Sequence, residues 1–260
     1  MNRLDRKLAD SGRRCLVGIA VQRYDPQFVE IAAHLGFDAL WVEMEHEAIT
    51  LDQAGDLCRI ASGMGLLTMI RVPNPGREAV LKAAELGPDI LDLPMANSPE
   101  TAAEFVRNAR YPPLGKRGFY GSSRAVRYGT DNDALAQQQK VNQELCLIIQ
   151  VETKEAVECA PALASVRGID GIFLGPGDLS SSLGVTGELR HPLVLDAMHR
   201  TVAAAKAQGK RVSAACAPSD VPYWAKHGAD LLFCASNLSC QIAGARSVLK
   251  EISDARNRHP

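Results

Sequence analysis

Hydrophobic residues in this chain gather into short, dense runs, separated by stretches in which apolar positions recur every three or four residues. The dense runs fall at Arg14–Val21, Ala39–His46, Leu66–Arg71, Asp89–Pro94, Cys146–Glu152, 168–178, Lys210–Cys216 and Asp230–Ala235. Runs of this length, rich in β-branched residues and closed by Gly or polar residues, predict strands buried on both faces. The stretches between them predict helices at Pro26–Leu35, Leu51–Gly63, Arg77–Leu86, Pro99–Arg110, Asp133–Gln143, His191–Gln208 and Val221–His227. A further helical segment falls between Glu152 and Gly168, and Leu238–Ala255 closes the chain as an amphipathic helix. Punctuation agrees with the pattern. Gly36 follows a helix, Thr50 precedes one, and Ser98 precedes a helix that starts with Pro99.

Strands that alternate with helices pair in parallel, because a βαβ crossover brings the second strand back in the same direction. Eight such units predict an α/β fold, a (β/α)8 barrel, and a single domain over residues 1–260 that includes a long loop at 111–130 and the helix at 238–255. The rhythm breaks only at Tyr111–Arg124, a stretch rich in Pro, Gly and Arg. A doubly wound sheet is the weaker alternative, since no G-x-G-x-x-G turn follows the first strand. The chain reads as free of internal repeats.

Composition narrows the function classes. The 260 residues carry a net charge of −1 and show no basic stripe, so neither nucleic acid nor an anionic membrane is an expected partner. No apolar run approaches the length of a spanning helix, and the charged N-terminus is a poor secretory signal. Seven cysteines form no C-x-x-C pair, and several sit inside apolar runs, which points to reduced thiols and a cytoplasmic protein.

In a barrel, polar residues at the C-terminal ends of strands gather on one rim. Glu43, Glu45 and His46 close the second strand, Arg71 the third, Gln150 and Glu152 the fifth, Gly177 and Asp178 the sixth. Each has a plainer reading: Asp178 as a helix cap, Arg71 as a structural ion-pair partner, His46 as a structural histidine. Together, Glu152 and Asp178 supply hard oxygen donors, which suit Mg²⁺ or Mn²⁺ rather than zinc, with Co²⁺ a further candidate. His34, His191, His199, His227 and His259 fall in helices or the tail and carry no zinc-binding spacing. No lysine stands at a C-terminal strand end, which disfavours Schiff-base chemistry.

Several segments resemble the HpcH/HpaI aldolase family over nearly the whole chain: Gly36-Phe-Asp with Glu45-His46, Ile70-Arg71-Val-Pro, Leu93-Pro94-Met95, Arg110–Gly118, Gln150-Val-Glu152-Thr, and Gly175-Pro-Gly-Asp178-Leu-Ser. The resemblance implies a metal-dependent aldolase that cleaves a 4-hydroxy-2-oxo acid to pyruvate and an aldehyde through an enolate. It implies Glu152 and Asp178 as metal ligands, Arg71 at the keto oxygen, His46 as acid/base, the amides of Gly177 and Asp178 as a carboxylate anchor, and Gln150 in the same pocket. It also implies a homo-oligomer, a trimer or hexamer, in which the C-terminal helix is exchanged and the loop near Arg117–Arg127 reaches a neighbouring site. Glu43 and Glu85 stand where the family usually has Asp. Glu85 is the expected partner of the histidine. Oxaloacetate decarboxylation, CoA-thioester cleavage and a non-enzymatic 2-oxo-acid-binding oligomer are the alternatives.

Overall fold

The computed structural model describes residues 1–258 of the chain. His259, assigned to the tail, lies outside the described residues. Eight parallel strands close into a barrel in sequence order. They are β1 Leu16–Val21, β2 Ala39–Glu43, β3 Leu67–Arg71, β4 Ile90–Leu93, β5 Cys146–Val151, β6 Gly171–Leu174, β7 Arg211–Ala215 and β8 Leu231–Ser236. The fold is the expected (β/α)8 barrel.

The first helix, α1 (Arg3–Ser11), was not foreseen. Asn2 caps it by accepting the Asp5 N–H at 2.8 Å, and Leu4 and Leu8, one turn apart, are its buried face. Those two leucines join Leu16, Leu67, Met69, Ile90, Cys146, Ile148, Phe173, Leu231 and Phe233 in one cluster inside the barrel. So α1 stoppers the N-terminal mouth. The outer helices α2 (Pro26–His34), α3 (Leu51–Gly63), α4 (Arg77–Glu85), α5 (Pro99–Ala109) and α6 (Ala134–Glu144) follow the expected order. The connection after β5 is two short helices, α7 (Lys154–Glu158) and α8 (Ala160–Ser165). The Gly/Ser-rich stretch after β6 holds a further helix, α9 (Pro176–Ser182). Helices α10 (Pro192–Ala207) and α11 (Val221–Lys226) flank β7. Within the long loop, Arg124–Gly129 forms a 3₁₀ turn in which Arg127 and Tyr128 take left-handed φ angles of 53° and 58°.

Helix α12 (Asn237–Arg258) starts directly from β8. It does not fold back over the barrel as an eighth outer helix should. Its apolar stripe is open to solvent, with Leu238, Ile242, Leu249 and Ile252 at 40–64% exposure.

Strand parity builds the interior in layers. Side chains alternate across a strand, so Ala39, Trp41 and Glu43 of β2 point inward, as do Leu67, Met69 and Arg71 of β3, Ile90 and Asp92 of β4, and Cys146, Ile148 and Gln150 of β5. Trp41 packs edge-on against Phe173 and Phe233 at 5.2 and 5.4 Å and closes the apolar layer. Above it, every inward residue on β2 to β5 is polar.

Candidate active site

Register places the polar layer at one level: Glu43 pairs with Arg71, and Arg71 with Asp92. Arg71 is its hub. Its Nε and Nη2 donate to Glu43 Oε2 at 2.6 and 2.5 Å, and its Nη1 lies 3.1 Å from Glu45 Oε2 and 3.3 Å from Gln150 Oε1. The guanidinium carbon sits 4.9 Å from the centre of the Trp41 ring. Planar donors clamped on several sides define a direction as well as a charge. Burial alone would lower the Arg71 pKa, but Glu43, Asp92 and Glu45 outweigh it and hold the guanidinium charged.

Glu43 has a second task. Its Oε1 accepts the N–H groups of Glu45 and His46 at 2.7 and 3.0 Å, which shapes the turn after β2. That turn presents His46 to solvent, its side chain 62% exposed, with Nε2 3.5 Å from Glu45 Oε2. Glu45 is pushed above its usual range, chiefly by burial.

Glu152 follows β5, almost wholly buried, and Oε1 accepts the Met95 N–H at 2.6 Å. Met95 reaches it from a left-handed φ of 51°, an uncommon conformation for a residue with a side chain. Across from it, Gly175 has no side chain because a Cβ there would lie 2.5 Å from Glu152 Oε2. Burial pushes the Glu152 carboxyl up to about 7; the Met95 N–H and Arg71 oppose this, while Asp178 and Glu45 add to it. Asp178 stands in the first turn of α9, exposed.

A buried carboxylate that burial and neighbouring anions both disfavour is a natural seat for a cation. Among the described residues no group of three or more His, Cys, Asp or Glu side chains forms a metal cage. Two carboxylates with the rest of the shell left to water and substrate is how Mg²⁺ is usually held. The donor set therefore fits a divalent metal.

Two expectations meet the geometry differently. Gln150 belongs to the layer: it is fully buried and bridges Arg71 to Asp92, to which its Nε2 donates. Glu85 does not come to His46 within this chain. It ends α4, which runs back from β3 to the opposite mouth, and there it accepts Arg117 Nη2 at 2.9 Å. The Arg117 side chain is fully buried and lies over the Tyr111 ring at 4.5 Å.

Asp92 was not anticipated. It is fully buried, and burial holds its carboxyl well above the carboxylate range, with Arg71 opposing. Its signal was available: a lone acid inside Ile90-Leu91-Asp92-Leu93, on the parity that faces the barrel axis.

With this arrangement in place, comparison with known proteins identifies the group. The sequence profile of the HpcH/HpaI aldolase/citrate lyase family matches residues 17–230. The chain belongs to the HpcH/HpaI aldolase/citrate lyase family. It is 34% identical over 195 residues to the 2-keto-3-deoxy-L-rhamnonate aldolase of Klebsiella pneumoniae subsp. pneumoniae, covering 75% of this chain and 72% of that protein. Its fold matches the crystal structure of an HpcH/HpaI aldolase from Desulfitobacterium hafniense DCB-2 with a TM-score of 0.88, at 29% identity over 95% of each chain. A more distant match is the citrate lyase beta subunit of M. tuberculosis complexed with oxaloacetate and magnesium. It has a TM-score of 0.56 at 16% identity and covers 85% of this chain and 91% of that one, a likeness of fold alone. Membership of this family and the named aldolase relatives make this chain a carbon–carbon lyase of the aldolase type.

Proposed function

We propose that the polar rim cleaves a 4-hydroxy-2-oxo acid by a retro-aldol reaction in which Arg71 holds the keto oxygen and His46 takes the 4-hydroxyl proton. The observation that carries this reading is the Arg71 clamp. A guanidinium fixed by Glu43, Glu45 and Gln150 stands in the polar layer, near enough to Glu152 for its charge to act on that carboxyl. Negative charge grows on the keto oxygen as the C3–C4 bond breaks, and a preorganised donor at that point is often the largest catalytic contribution. His46, exposed and beside Glu45, is placed to accept a proton from a bound hydroxyl. Gln150 steadies the guanidinium from within the same layer, and the free N–H groups of Gly177 and Asp178 in the first turn of α9 suit the substrate carboxylate.

Glu152 and Asp178 would hold the divalent ion, Mg²⁺ or Mn²⁺ by ligand type, with Co²⁺ a further candidate. When bound, it supplies Lewis-acid stabilisation of the developing charge. The Klebsiella relative supports a 2-keto-3-deoxy sugar acid as the substrate class.

The working unit is a homo-oligomer, a trimer or hexamer, in which a second copy covers the bare stripe on α12. In that assembly the long loop and Glu85 would approach a neighbour's His46. Free thiols throughout the described residues are in keeping with a cytoplasmic home, and no described helix is long and apolar enough to cross a membrane. Pyruvate release from a panel of 4-hydroxy-2-oxo acids, with Mg²⁺ or Mn²⁺ added and then removed by exhaustive chelation, tests the reading. Full turnover after chelation ends the metal assignment. Decarboxylation of oxaloacetate without aldol cleavage would favour the alternative use of the same rim.

A further inference from the structure

Within the polar layer of Glu43, Arg71, Asp92 and Gln150, Asp92 is the member to which the proposed reaction gives no task. It interrupts the apolar strand Ile90-Leu91-Asp92-Leu93 and is fully buried. The sheet fixes its backbone. Its carbonyl accepts the Val72 N–H at 3.0 Å, and it sits in register with Arg71 on one side and Ile148 on the other. Its side chain makes a single hydrogen bond, in which Oδ2 accepts Gln150 Nε2, while Oδ1 makes none. Arg71 directs its own donors to Glu43, Glu45 and Gln150. Asp92 therefore meets the guanidinium through Gln150, and otherwise only by charge.

Packing does not account for this residue. A buried carboxyl with one hydrogen bond costs stability, and an apolar side chain would fill the position as Met69, Ile90 and Ile148 fill the layer beneath. Hydrogen-bond polarity does account for it. A glutamine amide has an acceptor end and a donor end, whereas a guanidinium has donors only. Arg71 Nη1 must therefore take the Gln150 oxygen, at 3.3 Å. The Gln150 nitrogen then needs an acceptor, and Asp92 is the one it has. Without that carboxyl nothing prevents the amide from turning over and setting its NH₂ against Nη1. Nη1 would then keep only Glu45, which is carried on the turn after β2.

We propose that Asp92 is a positioning residue of the lyase: it fixes which end of the Gln150 amide faces Arg71, and through that amide it holds the guanidinium in place for the keto oxygen. The inference rests on the role proposed above for Arg71. Asp92 has no exposed surface and touches no reacting atom, so its effect passes wholly through Gln150. It needs no second copy of the chain, because every atom of the relay lies inside one barrel.

The test follows deuteration of the pyruvate methyl group in D₂O with Mg²⁺ or Mn²⁺ added, which reads enolate formation, and measures melting on the same samples. Asp92→Leu removes the acceptor at similar volume. Its kcat for exchange should fall by about tenfold, the loss of one hydrogen bond to a charged group, while its melting temperature stays at or above that of the native chain. Asp92→Asn should keep most of the rate, because its amide oxygen can still accept Gln150 Nε2. Gln150→Glu sets two carboxyls against each other and should be slow. Adding Asp92→Asn to it exchanges amide and carboxyl between the two positions, restores a donor for every acceptor, and should recover rate over Gln150→Glu alone. A native rate in Asp92→Leu, an equal loss in Asp92→Asn, or a double variant no faster than Gln150→Glu would overturn the proposal while Arg71→Lys remains slow. Should Arg71→Lys itself exchange at the native rate, the Arg71 reading falls and this inference with it. The exchanged pair decides the matter even if Asp92→Leu folds poorly.

Discussion

The two mouths of this barrel treat charge in opposite ways. At the N-terminal mouth a carboxylate precedes every second strand, and each is matched. Asp38 accepts the Val17 N–H and Arg13 Nη1, both at 3.0 Å. Asp89 accepts the Thr68 N–H at 2.7 Å and Arg3 at 2.6 Å. Asp170 accepts the Leu147 N–H at 2.8 Å and Arg110 at 2.7 Å. Asp230 accepts the Val212 N–H at 2.7 Å, with Lys206 at 2.6 Å and Arg211 at 2.9 Å. At the C-terminal mouth Glu43, Glu45, Asp92 and Glu152 share one arginine, and Asp92 Oδ1 is buried without a hydrogen bond. The first arrangement clamps neighbouring strands with satisfied charges. The second holds anions together against their repulsion, which fits a rim completed by a cation and a substrate. Charge is satisfied at one mouth and left in tension at the other, the mouth to which the proposed chemistry is assigned.

That contrast is open to attack at its strongest point first. Asp178→Ala should lower turnover by about 10³-fold, since a metal contributes several kcal/mol of charge stabilisation and about 1.4 kcal/mol is tenfold in rate. Its melting temperature should hold, because Asp178 is exposed. A large drop in melting would make Asp178 a structural residue and blur the two mouths. Arg71→Lys comes next. It keeps the charge that Glu43 needs but loses the fork, and turnover should fall by about 10²-fold, the loss typical of one oxyanion donor. Arg71→Ala is the poorer experiment, because it strands buried Glu43 and costs stability as well.

Asp230→Asn addresses the other mouth. Its partners are partly exposed, so the loss is discounted to about 2 kcal/mol, or about 4–8 °C in melting for a chain of this size. The kcat of the folded fraction should be unchanged. A variant that melts normally but turns over slowly would show that the mouths are not independent.

The sequence made the eight strands legible because each is short, apolar and bounded by a turn signal. Strand ends then placed Arg71, Gln150, Glu152 and Asp178 on one rim, since parallel strands share direction. Glu85 shows what direction also forbids: a residue that ends the helix after a strand belongs to the far mouth. The carboxylates of the N-terminal mouth recur as Gly36-Phe-Asp38, Gly87-Pro-Asp89, Gly168-Ile-Asp170 and Gly228-Ala-Asp230, each Gly at a φ between 64° and 100°. The chain does carry a repeat, but three residues long and spaced unevenly, too little for a search by period. Helix α1 stayed hidden because two leucines among charges look like a solvated tail until the barrel mouth that receives them is known.

The smallest test belongs to α1. Arg3 and Arg6 both reach Glu144 at the end of α6, at 3.1 and 3.2 Å. Burial alone would raise the Glu144 pKa, but the two guanidiniums outweigh it and hold the carboxyl below its usual 4.5. A group whose pKa is depressed on folding stabilises the fold above its unfolded value, and that stability is lost as pH falls through the folded value. Glu144→Gln should therefore melt slightly below the native chain at pH 7, by an amount worth about 0.2–1 kcal/mol for a partly exposed pair. The gap should close in acid, below the usual carboxylate range, where both chains are neutral at this position. A gap that persists there would mean that Glu144 acts through packing, and that α1 holds the N-terminal mouth by Leu4 and Leu8 with no help from charge.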